Sequence, residues 1–479
     1  MPDWLLISWY WFGVVAVFAA DLFATAHVIL KKRDTQAAIG WAGMIWFVPG
    51  IGSMLYYFFG INRVERKAKR LRRRASRIAD TLPPLDGPDT IRSVAGHLLP
   101  QAQLIGSLTG LPLLGGNAIR PLHTGTEAYT EMIGAIDGAI YSIGLSTYIF
   151  DNDAAGKRFI DALGRAVARG VAVRVLIDDI GARYSWPHTV IGPLRRIGVQ
   201  VARFLPQLLP WHFNYANLRN HRKILIVDGK IGFTGGMNIR AVHDASLNPV
   251  APITDLHFRL DGPVVAHLRE TFADDWEFCT RTVLRGQLWF PKLENCGSVL
   301  ARGIRTGPDD LCKRLQAVYL GGLASARTSV RIVTPYFLPD AALIAGLNVA
   351  ALRGVRVDIV LPERNNLRLV QWACMAQLEQ LLECGCRVWF TPPPFVHTKL
   401  MIVDRTWVLF GSSNWDPRSL RLNFEFDVEC YDPTRVGLLD DEVAGTVSRS
   451  RELTLNKLRR RNLFVKLRDG VARLLTPYL

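Results

Sequence analysis

A motif of polar residues occurs twice in this chain with the same internal spacing, His-x-Lys-x4-Asp followed by a turn of small residues that ends in asparagine. The members of the first copy are His221, Lys223, Asp228, Gly235, Gly236 and Asn238. The members of the second copy are His397, Lys399, Asp404, Gly411, Ser412 and Asn414. Because side chains alternate along a strand, the histidine and lysine of each copy lie on one face. Duplication at constant spacing favours a functional pair over two ordinary surface strands, so we expect two related halves whose motifs act together.

The two halves also repeat outside the motif. In each half an extended run, a helical run and a β-run follow one another, at residues 140–150, 154–169 and 170–177 and again at residues 330–338, 341–353 and 354–361. Strands that alternate with helices predict an α/β architecture with helices packed on the sheet. Asp255 precedes Pro263 by the same interval by which Glu425 precedes Pro433. The two acids are therefore expected at equivalent places.

The duplicated residues are the set needed to cleave and re-form a phosphodiester without a metal ion or another cofactor. A neutral imidazole attacks phosphorus and forms a phosphohistidine, and a protonated second imidazole delivers a proton to the departing oxygen. Lys223 and Lys399 supply positive charge for the phosphoryl oxygens. Asn238, Asn414 and the backbone N–H groups of the small-residue turns can donate hydrogen bonds to the same oxygens.

Four carboxylates accompany the motifs. An imidazole that attacks through one nitrogen needs its other nitrogen held, and Asp255 and Glu425 are the candidates for that role. Asp228 and Asp404 follow the lysines by five residues, at the predicted strand ends. For these two we expect a structural role, closing the turn by hydrogen bonds to the backbone, with a direct catalytic role as the alternative.

The N-terminus predicts a membrane anchor. Residues 4–30 are almost all apolar, with Asp21 as the only charge, and at about 1.5 Å per residue they span a bilayer. A signal peptide would need a basic start and a shorter apolar run. A second apolar stretch, residues 37–59, is interrupted by Pro49, Gly50 and Gly52, so it is either a kinked span or a re-entrant segment. With two spans, both ends of the anchor lie on one side of the membrane.

Positive charge indicates both a partner and an orientation. The net charge is +16 and the sequence pI about 9.8, which is typical of a protein with an anionic partner. Eight Lys and Arg residues within residues 63–74 follow the anchor and attract anionic lipid. They outnumber Lys31, Lys32 and Arg33, which would lie outside in a two-span anchor. The positive-inside rule then assigns the catalytic domain to the cytoplasm.

The chain is expected to divide into five parts. They are a membrane anchor of two hydrophobic segments at residues 1–60, a basic juxtamembrane helix and connector at 61–114, a first lobe at 115–290, a second lobe at 291–435 and a basic helical tail at 436–479. In the tail, four apolar residues fall on one face of a helix: Phe464, Leu467, Val471 and Leu474. Core packing is the simpler expectation for that face, and a membrane-surface helix is the alternative.

The paired motifs, in order over about residues 115–435, resemble the phospholipase D superfamily. The resemblance implies an α/β fold of two pseudo-symmetric lobes, each a mostly β sheet flanked by helices, beside the N-terminal transmembrane hairpin. It also implies that His221 is the nucleophile and His397 the general acid and base, although both motifs are complete and local sequence does not rank them. One departure is Gly236, where the superfamily often has serine, as at Ser412. A missing hydroxyl there could cost one phosphate hydrogen bond.

Shorter strings narrow the resemblance to bacterial cardiolipin synthases. They are Lys31-Lys32-Arg33-Asp34, Pro49-Gly50-Ile51-Gly52, Asp261-Gly262-Pro263, Arg418-Ser419-Leu420 and Asn423-Phe424-Glu425. This family implies transphosphatidylation, in which one phosphatidylglycerol transfers its phosphatidyl group to an enzyme histidine and releases glycerol. The headgroup hydroxyl of a second phosphatidylglycerol then accepts the group, giving cardiolipin. The implied location is the bacterial inner membrane, as a multi-pass protein with phospholipid substrates.

Two different reactions could use the same residues. A hydrolytic phospholipase D would use water as the acceptor, and exclusion of water from the site decides between hydrolysis and transfer. Phosphatidylethanolamine or another alcohol could replace one phosphatidylglycerol. Neither the motifs nor the composition decides the second lipid.

Two further hypotheses change the class of protein. A nuclease of the superfamily would explain the basic charge, but it gains nothing from a membrane anchor, and stripes of aromatic and basic residues for stacking bases are not evident. No nucleic acid partner is therefore expected. A non-catalytic lipid-binding scaffold would leave both histidines and both lysines free to drift, yet all four are present. The oligomeric state cannot be read from the sequence, and one chain already holds both motifs.

Overall fold

The computed structural model describes residues 3–32, 35–60, 88–206, 218–308 and 314–476. The chain forms two compact units, Met1–Arg73 with Gln207–Asn217, and Arg74–Pro206 with Leu218–Leu479. Residues 61–87, the first part of the predicted basic juxtamembrane helix and connector, lie outside the described residues.

The first unit begins with one long apolar helix. Helix α1 spans Asp3–Lys31, and within it Trp9–Lys31 is long and apolar enough to cross a bilayer, the one such helix among the residues described. Helix α2 spans Thr35–Phe47. Its 13 residues rise about 20 Å, short of the roughly 30 Å of hydrocarbon in a bilayer. A short helix α3, Ile51–Leu55, and a π-helical turn, Tyr56–Gly60, follow.

After α2 the chain turns back on itself instead of continuing across. Gly50, at the turn, has φ 76°, a left-handed conformation that glycine adopts without a steric penalty. Gly52 then packs so tightly on α2 that a Cβ there would lie 2.6 Å from the Cα of Ile45. Farther on, the Tyr56 ring contacts Trp41, with centroids 5.4 Å apart, and its hydroxyl lies 2.8 Å from Nδ1 of His27. The second apolar segment therefore folds into a hairpin, whose end returns towards the Lys31 end of α1.

Asp21 holds the tip of this hairpin. Its two carboxylate oxygens accept the backbone N–H of Gly50 at 3.1 Å, and one of them also accepts the hydroxyl of Ser53. Asp21 lies ten residues, about 15 Å, from the Lys31 end of the helix, a depth near the middle of a bilayer if α1 crosses one. Backbone groups freed by a turn at that depth need a partner inside the protein, and the buried carboxylate supplies it.

The second unit is built on two mirrored sets of strands. Among the described residues, 15 strands join in the order β17-β12-β11-β10-β14-β15-β16-β9-β1-β8-β6-β5-β2-β3-β4. The order repeats outward in both directions from the antiparallel contact of β1 with β9. The strands are β1 Leu114–Leu122, β2 Ser142–Thr147, β3 Ala172–Asp178, β4 Gln200–Phe204, β5 Ile224–Val227, β6 Ile231–Gly235, β7 Ile253–Thr254, β8 His257–Asp261, β9 Val299–Thr306, β10 Ser329–Val333, β11 Arg356–Pro362, β12 Arg387–Thr391, β13 Phe395–Val396, β14 Leu400–Val403, β15 Trp407–Gly411, β16 Glu425–Tyr431 and β17 Arg451–Leu453.

Helices cover the sheets in three hydrophobic clusters. One cluster lies between the halves, where Phe258 stacks on Phe410 with centroids 3.6 Å apart, and one lies under the helices of each half. The helices are α4 Pro88–Ala95, α5 Leu99–Thr109, α6 Gly125–Asp137, α7 Ala154–Ala168, α8 Ile191–Arg196, α9 Val265–Thr280, α10 Arg314–Ser325, α11 Ala341–Leu352, α12 Arg368–Met375, α13 Leu378–Glu383, α14 Pro417–Arg421, α15 Pro433–Ser448, α16 Leu455–Arg459 and α17 Leu463–Leu474. The predicted α/β class with two related lobes is confirmed.

The repeat extends to the ends of equivalent helices. Asp153 caps α7 by accepting the N–H of Gly156, and Asp340 caps α11 in the same way. Each helix is followed by a glycine at φ 87°, Gly170 and Gly354, before its parallel strand begins. These start and stop residues explain why both halves form the same strand–helix–strand unit.

The apolar face of the tail helix differs from the simpler expectation. Phe464, Leu467, Val471 and Leu474 are between 56% and 79% exposed. The helix packs through its other side, where Asp469 and Ala472 are buried. Core packing of the predicted face is therefore wrong.

Candidate active site

Backbone pairing between the halves brings the two motifs together. In the first half, the N–H of His221 donates to the carbonyl of Phe424 at 2.9 Å. In the second half, β13 pairs with β7, and the N–H of His397 donates to the carbonyl of Thr254 at 2.7 Å. Glu425 follows Phe424 and Asp255 follows Thr254 in sequence. The backbone pairing therefore places His221 beside Glu425 and His397 beside Asp255.

The two imidazoles are held by carboxylates in a crossed arrangement. Nδ1 of His221 lies 2.9 Å from Oε2 of Glu425, and Nδ1 of His397 lies 2.7 Å from Oδ2 of Asp255. Both carboxylates are almost fully buried. Because Nδ1 is engaged in both rings, Nε2 is the nitrogen left for chemistry. That each acid serves the histidine of the opposite half was not predicted.

The two lysines lie beside the histidines that precede them. Nζ of Lys223 donates to the carbonyl of His221 at 2.7 Å and lies 5.5 Å from the centre of the Tyr148 ring. Nζ of Lys399 donates to the carbonyl of His397 and lies 2.9 Å from its Nδ1. Burial lowers the pKa of Lys223 to about 7 and that of Lys399 to about 8. An incoming anion would favour the charged form of both.

The carboxylates differ in how well they are hydrogen-bonded. Glu425 accepts the hydroxyl of Ser412 at 2.5 Å, the hydroxyl of Ser419 at 2.9 Å and Nδ2 of Asn423 at 3.0 Å. Asp255 accepts the N–H of Leu256 at 2.9 Å. Although burial raises the pKa of Glu425, the charges of His221 and Lys223 and the Ser412 hydroxyl outweigh burial and lower it. For Asp255 burial prevails, and the pKa is raised.

The first motif has glycine at position 236 where the second has Ser412, and the structure gives a reason for this difference. A Cβ at Gly236 would lie 2.5 Å from Oδ1 of Asp255, so the carboxylate occupies the space that a serine would need. At the equivalent place Ser412 is buried, and its hydroxyl donates to Glu425. The serine hydroxyl is used to hold a carboxylate, which differs from the phosphate hydrogen bond expected from sequence. A second close approach explains Gly235, where φ is 153° and a Cβ would lie 2.7 Å from the carbonyl of Leu256.

Burial disfavours the charged form of both imidazoles. It lowers the pKa of His221 despite the opposing charge of Glu425. Burial and the nearby Lys399 and Lys223 charges lower the pKa of His397 well below its usual value. A bound phosphodiester would oppose the lysine charges and favour an imidazolium.

The two predicted asparagines lie in the turns that follow the paired strands. Asn238 is nearly buried, and its Oδ1 accepts the N–H of Ile149 at 3.2 Å. Asn414 is also nearly buried, and its backbone N–H donates to Ser419 at 3.1 Å. With Oδ1 of Asn238 engaged, its Nδ2 is the end that can donate to an anion.

The predicted Asp228 and Asp404 lie away from the histidines. Strand β5 separates Lys223 from Asp228 by roughly 15 Å, and Asp228 accepts the N–H groups of Ile140, Tyr141 and Ser142 at 2.6–2.9 Å. Asp404 accepts the N–H groups of three successive residues in the same way: Arg327, Thr328 and Ser329. Both carboxylates therefore hold the start of a neighbouring strand, β2 or β10.

Two tyrosines in the site were missed by sequence reasoning. The ring of Tyr148 lies edge-on to His221 with centroids 5.2 Å apart, and that of Tyr336 lies edge-on to His397 at 6.3 Å. Burial raises the pKa of both hydroxyls, that of Tyr336 to about 12. Each tyrosine follows the strand whose start the motif aspartate holds, β2 or β10, and precedes the aspartate that caps the next helix. The repeat itself was therefore the signal that could have found them.

A third imidazole was also missed. His243 is buried, with its ring centre 6.2 Å from that of His397, and burial lowers its pKa to about 3. It occurs once, after the first motif, so duplication gave no signal for it.

Aromatic residues that precede the two motifs in sequence are candidates for contact with acyl chains, and their surroundings differ. Phe395 lies beside His397 with centroids 6.0 Å apart. Trp389 donates its indole N–H to Asp358, and Phe390 is buried. Trp211 and Phe213 lie outside the described residues.

Two family models match the chain. One is described as cardiolipin synthase, PLD-like domain, and matches residues 132–276 and 319–446. The other is described as phospholipase D-nuclease N-terminal and matches residues 19–60. Together they cover both motifs and most of the apolar hairpin.

Named relatives extend over nearly the whole chain. The cardiolipin synthase A of Pseudomonas aeruginosa is 32% identical over 472 residues, covering 97% of this chain and 95% of the relative. That of Pseudomonas putida is 30% identical over 478 residues, covering 98% and 99%. Among solved structures, phosphatidylserine synthase of Haemophilus influenzae Rd KW20 is similar with a TM-score of 0.62 and 16% identity, covering 79% of this chain and 100% of that one. This structural likeness concerns the fold.

Proposed function

The chain belongs to the cardiolipin synthase family of phospholipase D-like proteins, and from that premise we propose that it transfers a phosphatidyl group from one phosphatidylglycerol to another. The enzyme is a phosphatidyltransferase acting on phospholipids. The products are cardiolipin and glycerol. The observation that carries the proposal is the crossed pair of buried carboxylates, which leaves two Nε2 atoms free in one site.

In the first step, His221 attacks the phosphorus of phosphatidylglycerol through Nε2. The bond from phosphorus to the glycerol oxygen breaks, and that oxygen takes a proton from Nε2 of His397. Glu425 stabilises the positive charge that develops on His221. Lys223 and Lys399 oppose the negative charge on the phosphoryl oxygens.

In the second step, the headgroup hydroxyl of another phosphatidylglycerol attacks the phosphohistidine. His397, now neutral, takes the hydroxyl proton, while the bond from phosphorus to His221 breaks and regenerates the imidazole. The proton lent in the first step is recovered, so the cycle balances without a cofactor. Asp255 holds His397 in the orientation needed for both transfers.

The test is lipid mass spectrometry after incubating the purified protein with vesicles of phosphatidylglycerol alone. Cardiolipin with an equal amount of free glycerol supports transfer between two molecules of one lipid. Phosphatidic acid as the main product would instead make the protein a hydrolase. If no product forms until phosphatidylethanolamine is added, the second substrate is a different lipid. His221→Ala and His397→Ala are each expected to abolish product, and full turnover by His221→Ala would contradict the two-histidine mechanism.

We infer that the hairpin is re-entrant, and this supports a specific orientation in the membrane. Tyr56 contacts His27, near the Lys31 end of α1, so the chain leaves the hairpin on the side of Lys32. Lys31, Lys32 and the eight basic residues within 63–74 are then on one side, and they no longer oppose each other. We infer that this side is the cytoplasm, that residue 3 faces the opposite side, and that the chain crosses the membrane once.

Cysteine accessibility separates this orientation from a two-span anchor. In intact cells, an impermeant maleimide is expected to label Asp3→Cys and to leave Lys32→Cys unlabelled until the membrane is opened. A two-span anchor with a cytoplasmic catalytic domain gives the reverse result at both positions. Labelling of Lys32→Cys in intact cells would therefore exclude the re-entrant arrangement.

A further inference from the structure

Helix α17 carries a group of large apolar side chains that are exposed. Its exposed side chains are Leu463 at 66%, Phe464 at 79%, Leu467 at 56%, Val471 at 61% and Leu474 at 73%. At about 100° per residue they occupy an arc of roughly 100° on one side of the helix. Large side chains grouped in this way on a protein surface indicate a contact with another apolar phase.

The apolar arc is exposed although helix α17 is packed against the protein through its opposite side. On the opposite side, Asp469 and Ala472 are buried, and the guanidinium of Arg468 lies 4.4 Å from the centre of the Trp372 ring. Asp469 also accepts hydrogen bonds from Arg461 at 2.5 Å and from Arg468 at 2.8 Å. These contacts hold α17 against α12 with its apolar arc outward.

Basic residues flank the apolar arc. Lys466 and Arg473 lie on one side of it, Arg468 lies on the other with its guanidinium held by Trp372 and Asp469, and the single acid of the helix, Asp469, points inward. An arc of leucine, phenylalanine and valine between cations matches the boundary between anionic headgroups and acyl chains.

We propose that α17 lies in the surface of an anionic bilayer, with its apolar arc below the headgroups and its basic residues among them. The helix is then a second membrane contact, remote in sequence from the N-terminal anchor. The proposal rests on the membrane association of the protein and is independent of the histidine chemistry. A second copy of the chain is the competing occupant, and the experiment distinguishes the two.

The first experiment places an environment-sensitive fluorophore on Leu467→Cys in the full-length protein, with the exposed Cys296 changed to serine. Leu352→Cys is the matched control, a leucine 72% exposed on α11. In discs containing phosphatidylglycerol, we expect a blue shift and quenching by lipids that carry a spin label in the acyl chain, at Leu467 and not at Leu352. Equal quenching at both positions, or none at either, overturns the proposal. A blue shift in detergent that grows with protein concentration would identify the second copy instead.

A second experiment links the contact to turnover. Leu467→Glu with Val471→Glu is expected to lower turnover several-fold on phosphatidylglycerol vesicles and to leave turnover unchanged on the same lipid in detergent micelles. Val349→Glu with Leu352→Glu, also exposed apolar positions, serves as the control. Unchanged vesicle turnover in the α17 pair counts against the proposal. Loss of turnover on both substrates would show damage to the fold, and the fluorescence result then decides.

Discussion

Asp255 and Glu425, which contact the two histidines, differ in length by one methylene. The residue that faces each carboxylate differs accordingly. Asp255 is short and faces Gly236, whose missing side chain makes room for its oxygens. Glu425 is longer and faces Ser412, whose hydroxyl donates to it. The better hydrogen-bonded Glu425 is the stronger support for a positively charged ring, which agrees with His221 as the nucleophile.

Adding one methyl group at Gly236 is expected to cost far more activity than removing one hydroxyl at Ser412. In Gly236→Ala the new Cβ lies 2.5 Å from Oδ1 of Asp255 and displaces the carboxylate from His397, so kcat should fall by roughly 10³-fold, approaching the loss of an orienting acid. Ser412→Ala removes one of several donors to Glu425 and should cost about tenfold. Comparable kcat values for the two variants would contradict this account.

The depressed lysine pKa values predict an unusual pH dependence. A lysine whose pKa is lowered keeps its charge only below that value, so phosphate binding should weaken as the pH rises through about 7 for Lys223 and about 8 for Lys399. We expect kcat/KM to fall over that range and kcat to fall at higher pH, because a bound anion raises both pKa values. In Lys223→Arg the guanidinium stays charged, so the kcat/KM of any remaining activity should fall less steeply as the pH rises. A kcat/KM profile that stays flat up to about pH 10 would contradict the assignment.

At the scale of single elements, the aspartate of each motif fixes where a neighbouring strand begins. Asp228 has φ 49° and Asp404 φ 52°, so each turns the chain in the left-handed region while its carboxylate gathers three backbone N–H groups. Aspartate and asparagine tolerate this conformation better than most residues. The motif spacing is therefore set by the length of a strand, with chemistry at one end and strand alignment at the other.

Asp228→Asn is expected to lower stability and to spare catalysis. Asparagine keeps the backbone conformation but replaces one accepting oxygen with an N–H donor, so unfolding should become easier by about 2 kcal/mol. The kcat of the folded fraction should stay close to that of the unchanged protein. Asp255→Asn is the matched control, with the reverse pattern of a large loss of kcat. Chemical denaturation and turnover per folded molecule, measured together, check both.

Sequence periodicity predicted the elements well but not the contacts between them. The strand–helix–strand units follow from local signals, such as the caps at Asp153 and Asp340 and the glycines that end α7 and α11. The crossed carboxylates depend on backbone pairing between residues about 140 to 200 positions apart, which no local pattern records. The return of the N-terminal hairpin likewise depends on the contact of Tyr56 with His27.

At the scale of the whole molecule, the site exists only where the halves meet. Each imidazole belongs to one half and is oriented by the other, and backbone hydrogen bonds from both histidines cross between the halves. The halves also share a hydrophobic cluster to which strands of both halves contribute. A change in one half is therefore expected to impair the step performed by the histidine of the other.

A substrate with a good leaving group can test this crossed dependence. When phosphatidyl-p-nitrophenol is the donor, the first step needs no acid, so Asp255→Asn should release a burst of nitrophenolate and accumulate the phosphohistidine. Glu425→Gln should slow the burst itself, as a weaker form of His221→Ala. Acid-quenched labelling of the protein measures both species. The opposite pattern would mean that each acid serves the histidine of its own half.

The crossed pairs also constrain how such a gene can change over time. Recombination with a relative at a breakpoint between the two halves would give each histidine an acid from a different ancestor, with its own length and its own facing turn. In such a chimera, Asp255 stays with Gly236 and Glu425 stays with Ser412, because each acid and its turn belong to one half. Each acid would, however, contact a histidine that comes from the other ancestor. Once the halves have come to depend on each other in this way, natural selection acts on them as a single inherited unit.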